Sequence, residues 1–135
     1  MDLQQKMLAQ RCLAGSEDNI MTFPEIVATL TAGGFESYGV DFRRQTCTYY
    51  RPDGESVELP AHKADRGVSE AFDTAALEAA IREAQRLIPG YTYEKFCAKA
   101  RSAGCAGYMV SFSGRRAVYF GRTGEVHTER LPAQS

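Results

Sequence analysis

The chain has 135 residues, of which 44% are hydrophobic and 24% are charged, so its composition suits one folded domain with its own core. Its formal net charge of −1 excludes the strongly basic surface of a general nucleic-acid binder or of a protein that binds anionic membranes. The first ten residues lack the apolar segment of a secretory signal, and no apolar run is long enough to predict a transmembrane helix. We therefore expect a cytoplasmic protein that binds neither nucleic acid nor membrane.

Two helices followed by three strands are predicted in the first half. The first helix spans about residues 2–14 and is expected to end at Gly15-Ser16. The second begins after Thr22, whose spacing from Glu25 is that of a capping box. Strands are predicted at about 38–42, 46–50 and 55–59 from their alternation and their β-forming residues.

The same order of elements is predicted after a polar linker at 61–72. A third helix begins after Asp73, carries an apolar stripe that runs to Leu87 and Ile88, and ends at Pro89-Gly90. A fourth helix follows Thr92. Strands at about 107–112, 115–120 and 125–130 are separated by Ser113-Gly114 and by the turn 122–124.

The two halves resemble each other when the chain is shifted by 70 residues. Nine of 34 positions are identical between 22–55 and 92–125, and they fall on the helix cap, the helix end, the inward strand face and the hairpin turn. The identical pairs include Tyr38/Tyr108, Val40/Val110, Phe42/Phe112 and Tyr49/Tyr119. These are positions that packing and backbone geometry constrain, so the pattern predicts a duplicated unit.

We therefore predict an α+β fold made by tandem duplication of an α-α-β-β-β unit, with an antiparallel sheet and helices packed on one side. A single domain over 1–135 would contain the halves 1–60 and 73–132, joined by 61–72. The sequence leaves open whether the strands form one sheet or two packed sheets.

The segments FDTAALEAAIREAQ and GCAGYMVSFSGRRAVYFGRTGEVHTERLP resemble a small bacterial family, the YdfO-like family or domain of unknown function 1398. Its members are often labelled "phage envelope protein" in prophage regions. The resemblance covers about 22–132 and implies a duplicated α+β fold. It implies no activity, cofactor or catalytic residue.

The four cysteines are irregularly spaced, and His62 and His127 are the two histidines, which predicts reduced, buried thiols and no metal site. No nucleotide-binding or metalloprotease motif occurs, so we expect no cofactor.

Candidate site residues come from the predicted strand faces. A two-residue turn at Ser113-Gly114 pairs Val110 with Ala117 and Tyr108 with Tyr119. If Val118 pairs with His127, the face away from the helices gains His127 and Glu129. The other members expected on this open face are Asp41, Thr48, Tyr50, Val57, Met109, Ser111, Arg116, Val118 and Phe120. A register slip of one residue would exchange the faces.

Two functions are compatible with such a mixed face. One is a binding or interaction protein, and its partner would be a small molecule or a protein, including a second copy of this chain in a homodimer. The other is a cofactor-independent acid–base enzyme of the isomerase, cyclase or lyase type, which would use His127, Glu129 and Asp41. The candidate ligand-binding residues in either case are Ser111, Tyr50, Arg116, Tyr49, Tyr119 and His62.

Overall fold

The computed structural model describes residues 1–61 and 67–131, and these form four α-helices and six β-strands. The helices are α1 (Leu3–Glu17), α2 (Phe23–Ala32), α3 (Thr74–Arg86) and α4 (Tyr93–Ser102). The strands are β1 (Ser37–Asp41), β2 (Thr46–Tyr50), β3 (Ser56–Pro60), β4 (Cys105–Ser111), β5 (Arg116–Gly121) and β6 (Val126–Arg130). All neighbouring strands pair antiparallel in one sheet of order β3-β2-β1-β4-β5-β6. The predicted α+β fold is confirmed, and the strands form one sheet.

The elements of the two halves recur at the spacing found in the sequence. α2 begins at Phe23 and α4 at Tyr93, so their starts lie 70 residues apart, and each is capped by the hydroxyl of the preceding threonine. β3 and β6 match in the same way, from 56–60 to 126–130. The duplication itself, as the origin of this arrangement, stays a prediction.

The halves join through β1 and β4. Gly39 pairs with Met109, Tyr38 with Val110, and Val40 with Tyr108. Tyr38 corresponds to Tyr108 and Val40 to Val110 in the repeat. The pair on one side of Gly39–Met109 therefore consists of the same residue types as the pair on its other side, with the strands exchanged. An antiparallel joint with this register relates the halves by an approximate two-fold rotation.

One face of the sheet packs against the helices, and the other is open. Buried side chains alternate along β1, β2 and β5, and they form one core cluster with the inward residues of the helices, such as Leu30, Leu77 and Ile81. On the opposite face, Tyr50 and Met109 remain 42% and 38% exposed. The sheet therefore offers two places for a site, the open face and the space between the helices and the covered face.

Two helix ends differ from the sequence prediction. α1 does not stop at Gly15-Ser16 but continues to Glu17, because the Gly15 carbonyl accepts the amides of Ile20 and Met21 and so closes the helix one turn later. α3 ends at Arg86, before Leu87 and Ile88. Ile88 precedes Pro89, which disfavours helical backbone there, and Leu87 takes a left-handed conformation.

The hairpin between β4 and β5 also differs in its turn. The predicted pairs Val110–Ala117 and Tyr108–Tyr119 are confirmed. However, the connection has four residues, 112–115, instead of the two-residue turn Ser113-Gly114, and Arg115 carries the positive φ of 52°.

Replacing Gly104 by alanine tests the close approach of the Ala71 backbone to Gly104, which follows the end of α4. Gly104 has a φ of +92°, and a Cβ there would lie 2.2 Å from the Ala71 carbonyl oxygen. Gly124 has a φ of +95° but nothing within 4 Å of that position, so Gly124→Ala isolates the backbone penalty, about 1 kcal/mol. We expect Gly104→Ala to lower the free energy of unfolding by about 1–3 kcal/mol more than this, measured by urea denaturation. Equal effects of the two changes would contradict the close approach of 71 and 104.

Candidate functional site

A cavity of about 500 Å³ lies between the helices and the covered face of the sheet. Both halves build it: α2 and the loop before it contribute one wall, and the end of α3 with the loop after it contributes another. The floor comes from β1, β4, β5 and β6. Its aromatic lining residues are Tyr38, Tyr91, Tyr93, Tyr108, Tyr119, Phe23 and Phe96. We call this space the tyrosine cavity.

The tyrosines of the floor are buried, but two of their hydroxyls have no protein partner. Tyr93 and Tyr108 bond to each other, with 2.6 Å between the hydroxyl oxygens. Tyr38 and Tyr119 are each only 7% exposed, and within residues 1–61 and 67–131 no hydrogen bond to either hydroxyl is found. Neither hydroxyl is among the fully buried atoms without a partner, so both are accessible from the cavity. The cavity therefore offers two phenol hydroxyls that are free to bond to a ligand.

Burial keeps these phenols neutral. It raises the pKa of Tyr38, Tyr93 and Tyr108 well above the ordinary tyrosine value, and that of Tyr91 to about 12. The pKa of Tyr119 is also raised, again mainly by burial. At neutral pH the phenols can therefore exchange hydrogen bonds and present aromatic faces, but they carry no charge.

A group of four polar side chains, which we call the charged quartet, lies at the α3–β6 side of the cavity. Glu129, which lines the cavity, binds Arg82 Nη1 at 3.2 Å and His127 Nε2 at 2.9 Å. Glu78 completes the quartet, with its carboxylate 3.8 Å from His127 Nε2. The Glu129 side chain is 13% exposed and that of Arg82 is 43% exposed.

The partners of Glu129 decide its protonation. Partial burial opposes ionisation, but hydrogen bonds with His127 and Arg82 and the positive charge of Arg82 outweigh it and hold the pKa of Glu129 below the ordinary value. Glu129 is therefore a carboxylate throughout the neutral range.

The predicted pairing of Val118 with His127 is wrong. His127 pairs with Tyr119, and Glu129 with Ala117, which places both on the covered face. The reason is the turn: Gly121 and Glu125 bond across a three-residue loop, 122–124, which ends in a left-handed Gly124. Val57 was also assigned to the wrong face, since it pairs with Tyr49 and packs against the core.

Asp41, Ser111 and Arg116 do lie on the open face, where they stabilise hairpin turns. Asp41 accepts the amides of Arg43 and Arg44 at 3.0 Å each, and Ser111 Oγ accepts the amide of Gly114 at 3.0 Å. Arg116 donates to the Gly114 carbonyl. The structure therefore separates Asp41 from His127 and Glu129, which lie on the opposite face of the sheet.

The remaining predicted residues are dispersed. Tyr119 lines the cavity, whereas its counterpart Tyr49 is buried in the core with its ring 5.6 Å from that of Tyr38. Tyr50 is exposed on the open face. His62 lies outside the described residues.

Sequence reasoning missed Arg82 and Glu78, although the repeat contains a signal for them. Glu78, Arg82, His127 and Glu129 correspond at the 70-residue shift to Leu8, Cys12, Val57 and Leu59. In the first half these four positions are apolar, and Cys12 and Leu59 are buried. All four corresponding positions are polar in the second half. This coordinated difference indicates that the α3–β6 side of the second half is chemically different from its counterpart in the first half.

Burial keeps the cysteine thiols protonated at neutral pH. Burial raises the pKa of the Cys47 thiol to about 12 and that of Cys105 to about 11, and all four cysteines are free. Within the described ranges there is no cluster of three or more metal-ligating side chains. Likewise, none of the helices described has the length and apolar character needed to cross a membrane.

The model of a protein family of unknown function, DUF1398, matches residues 13–130. The match covers most of the chain, so the chain belongs to this family. The YdfO-like and phage-envelope labels stay predictions. The comparison with curated proteins found no match.

Replacing the Arg82–Glu129 pair by its apolar counterparts tests whether packing requires it. Glu129→Leu alone strands the Arg82 guanidinium and should lower the free energy of unfolding by about 1–2 kcal/mol, less than for a fully buried pair because Arg82 is 43% exposed. The double variant R82C/E129L recreates Cys12 and Leu59 and should lie within about 1 kcal/mol of the original chain. Urea denaturation measures both. A double variant less stable than Glu129→Leu would show that the fold needs the pair.

The lowered pKa of Glu129 also predicts a pH dependence. A carboxyl whose folded pKa is depressed adds stability above its unfolded pKa, and this is lost as pH falls through the folded value. The stability advantage of the original chain over Glu129→Gln should therefore be full at pH 6 and shrink below about pH 4.3, measured as the difference in Tm. Glu58→Gln, which removes an exposed carboxylate of the open face, is the control. A difference that stays constant from pH 6 to pH 3 would contradict the role given to Glu129.

Proposed function

We propose that this member of the DUF1398 family is a binding protein whose ligand is a small molecule held in the tyrosine cavity. The observation that carries the proposal is the tyrosine cavity itself, about 500 Å³ between the helices and the sheet, whose lining includes Tyr38 and Tyr119. Within the described chain no hydrogen bond to either hydroxyl is found, so both hydroxyls can bond to a ligand and orient it in a largely apolar site. The binding function predicted for the open face thereby moves to the covered face.

The size and mouth of the cavity support this proposal. Small-molecule sites are concave, mostly apolar and about 300–1,000 Å³ in volume, with a few polar groups that orient the ligand. The tyrosine cavity, at about 500 Å³, has this character. Three large apolar side chains on its lining remain exposed: Ile20 at 76%, Leu87 at 54% and Phe23 at 37%. Such residues suit an entrance for an apolar ligand.

The acid–base enzyme is the second candidate, since the 2.9 Å contact between His127 and Glu129 would let a carboxylate orient an imidazole. Two observations favour binding over it. His127, the group that would transfer the proton, is not among the described residues that line the tyrosine cavity. The phenols that do line it are held neutral by burial and are poor proton donors and acceptors near neutral pH.

Docking of a protein on the open face, including a homodimer, stays a prediction. The exposed apolar side chains Tyr50, Met109 and Val126 are interspersed there with hydroxyl and charged side chains such as Thr128 and Arg116. A cytoplasmic location belongs to the proposal and is supported by the four free cysteines. Prophage association rests on the sequence resemblance.

A neutral fluorescent probe, N-phenyl-1-naphthylamine, tests the proposal. Its fluorescence rises in apolar surroundings, and we expect saturable binding to one site. Ala117 and Ala84 line the cavity, so Ala117→Phe and Ala84→Trp should fill it and weaken probe binding by tenfold or more. Val118→Phe, on the neighbouring open-face position, is the matched control and should bind as the original chain does.

Circular dichroism checks that each variant folds. If Ala117→Phe does not fold, the affinity of Ala84→Trp for the probe decides whether the probe binds in the cavity. Failure of the original chain to bind the probe saturably would contradict the proposal. So would binding that both cavity variants leave unchanged, or binding weakened by Val118→Phe alone, which would indicate the open face.

A further inference from the structure

The tyrosine cavity combines aromatic walls with a single kind of charge. Of the described residues that line it, Glu129 and Arg130 are charged. Strand alternation places the side chain of Arg130 on the open face, beside its pairing partner Arg116. Glu129, on the covered face, is therefore the ionised side chain that the lining presents to a ligand.

Carboxylates outnumber the permanent cation around Glu129. The charged quartet contains two carboxylates, one guanidinium and one imidazole. Each Glu129 oxygen has one partner in the described chain: Oε1 contacts His127, and Oε2 accepts from Arg82. A carboxylate offers about four lone-pair sites, so both oxygens keep the capacity to accept another donor.

The aromatic rings of the floor form a continuous row that ends at this carboxylate. The ring centroids of Tyr38 and Tyr108 lie 6.4 Å apart, those of Tyr108 and Tyr119 5.2 Å, and those of Tyr119 and His127 6.4 Å. Neutral aromatic rings attract cations to their faces, and aromatic cages are a recurrent way of holding quaternary ammonium groups. Both the carboxylate and the rings thus favour positive charge in the cavity.

The other half of the chain indicates that packing does not explain the charges. At the positions that correspond to His127 and Glu129, β3 carries Val57 and the buried Leu59 on the same face of the same sheet. Apolar side chains therefore satisfy this framework. A partly buried carboxylate beside a cavity is energetically less favourable than such packing, and is more readily explained by what it binds.

We propose that the ligand of the tyrosine cavity is an organic cation, an amine or quaternary ammonium group on an apolar body, with Glu129 as its counter-ion and the tyrosine rings against its cationic group. This inference rests on the proposed function, since it names the class of molecule that the same cavity takes.

Two probes of equal shape test the charge. Phenyltrimethylammonium and tert-butylbenzene differ in that a positive nitrogen replaces a carbon. Each is titrated against the protein loaded with N-phenyl-1-naphthylamine, and displacement gives its affinity. We expect the cation to bind at least about tenfold more tightly, in line with a desolvated cation–π contact and a nearby carboxylate. The preference should fall as salt concentration rises.

Three variants assign the preference to residues. Glu129→Gln should remove most of it while leaving tert-butylbenzene binding within about twofold. Glu83→Gln is the matched control, because it removes a carboxylate of α3 that pairs with Lys99 and lies outside the tyrosine cavity. Tyr119→Phe should keep the preference and Tyr119→Leu should reduce it, which decides the matter if Glu129→Gln does not fold.

The outcomes separate this inference from the proposed function. Equal affinities, tighter binding of tert-butylbenzene, or displacement by neither compound from a chain that binds the fluorescent probe would overturn the cation class and leave the binding function standing. A chain that binds neither the fluorescent probe nor the two compounds would overturn both. A preference that survives Glu129→Gln would contradict the role of Glu129.

Discussion

The antiparallel pairing of β1 with β4 is the contact on which the rest of the molecule depends. Neither half alone is large enough to bury the apolar side chains of both its helices and its strands in a core. The pairing of Tyr38 with Val110 and of Val40 with Tyr108 puts the aromatic residues of both halves on one face. The helices of both halves then cover that face together. The tyrosine cavity lies over this joint, with walls from α2 of one half and α3 of the other.

Because the two halves are approximately symmetric, a difference between their corresponding cavities points to residues that the common framework does not require. A smaller cavity, of about 180 Å³, lies at the corresponding place in the other half and includes Glu17, Asp18 and Glu94 in its lining. The corresponding residues of the tyrosine cavity are Leu87, Ile88 and Pro24. At these three positions one lining is thus mainly acidic and the other apolar. The two cavities therefore differ in volume and in charge, and the larger one combines exposed apolar side chains with the hydroxyls of Tyr38 and Tyr119 and the carboxylate of Glu129.

Local patterns predicted most of the framework but misplaced the site by one residue. Helix caps such as Thr22 and strand alternation such as Tyr38-Val40 are short-range signals, and the elements they predict are present. The face of β6 instead depends on whether the loop before it has three residues or four. The sequence predicts that Gly124 is a turn residue, but it does not predict the Gly121–Glu125 hydrogen bond that closes the loop. The resulting difference of one residue in loop length moves His127 and Glu129 to the other face of the sheet. The cavity itself could not be predicted, since it depends on where α3 stops and how far its following loop stands from α2.

The role of the charged quartet depends both on the burial of its side chains and on their charge. Arg82 and Glu129 are close enough to bond, yet ion pairs with one exposed partner contribute little to stability, and apolar side chains fill the corresponding positions of the first half. We therefore expect stability alone not to account for the pair. His127 and Arg82 hold Glu129 ionised, and neither is among the described residues that line the cavity, while Glu129 keeps unused acceptor sites on the lining. Because Arg82 and His127 fix the Glu129 carboxylate in place, it is preorganised for the proposed cationic ligand, and less side-chain ordering is needed on binding.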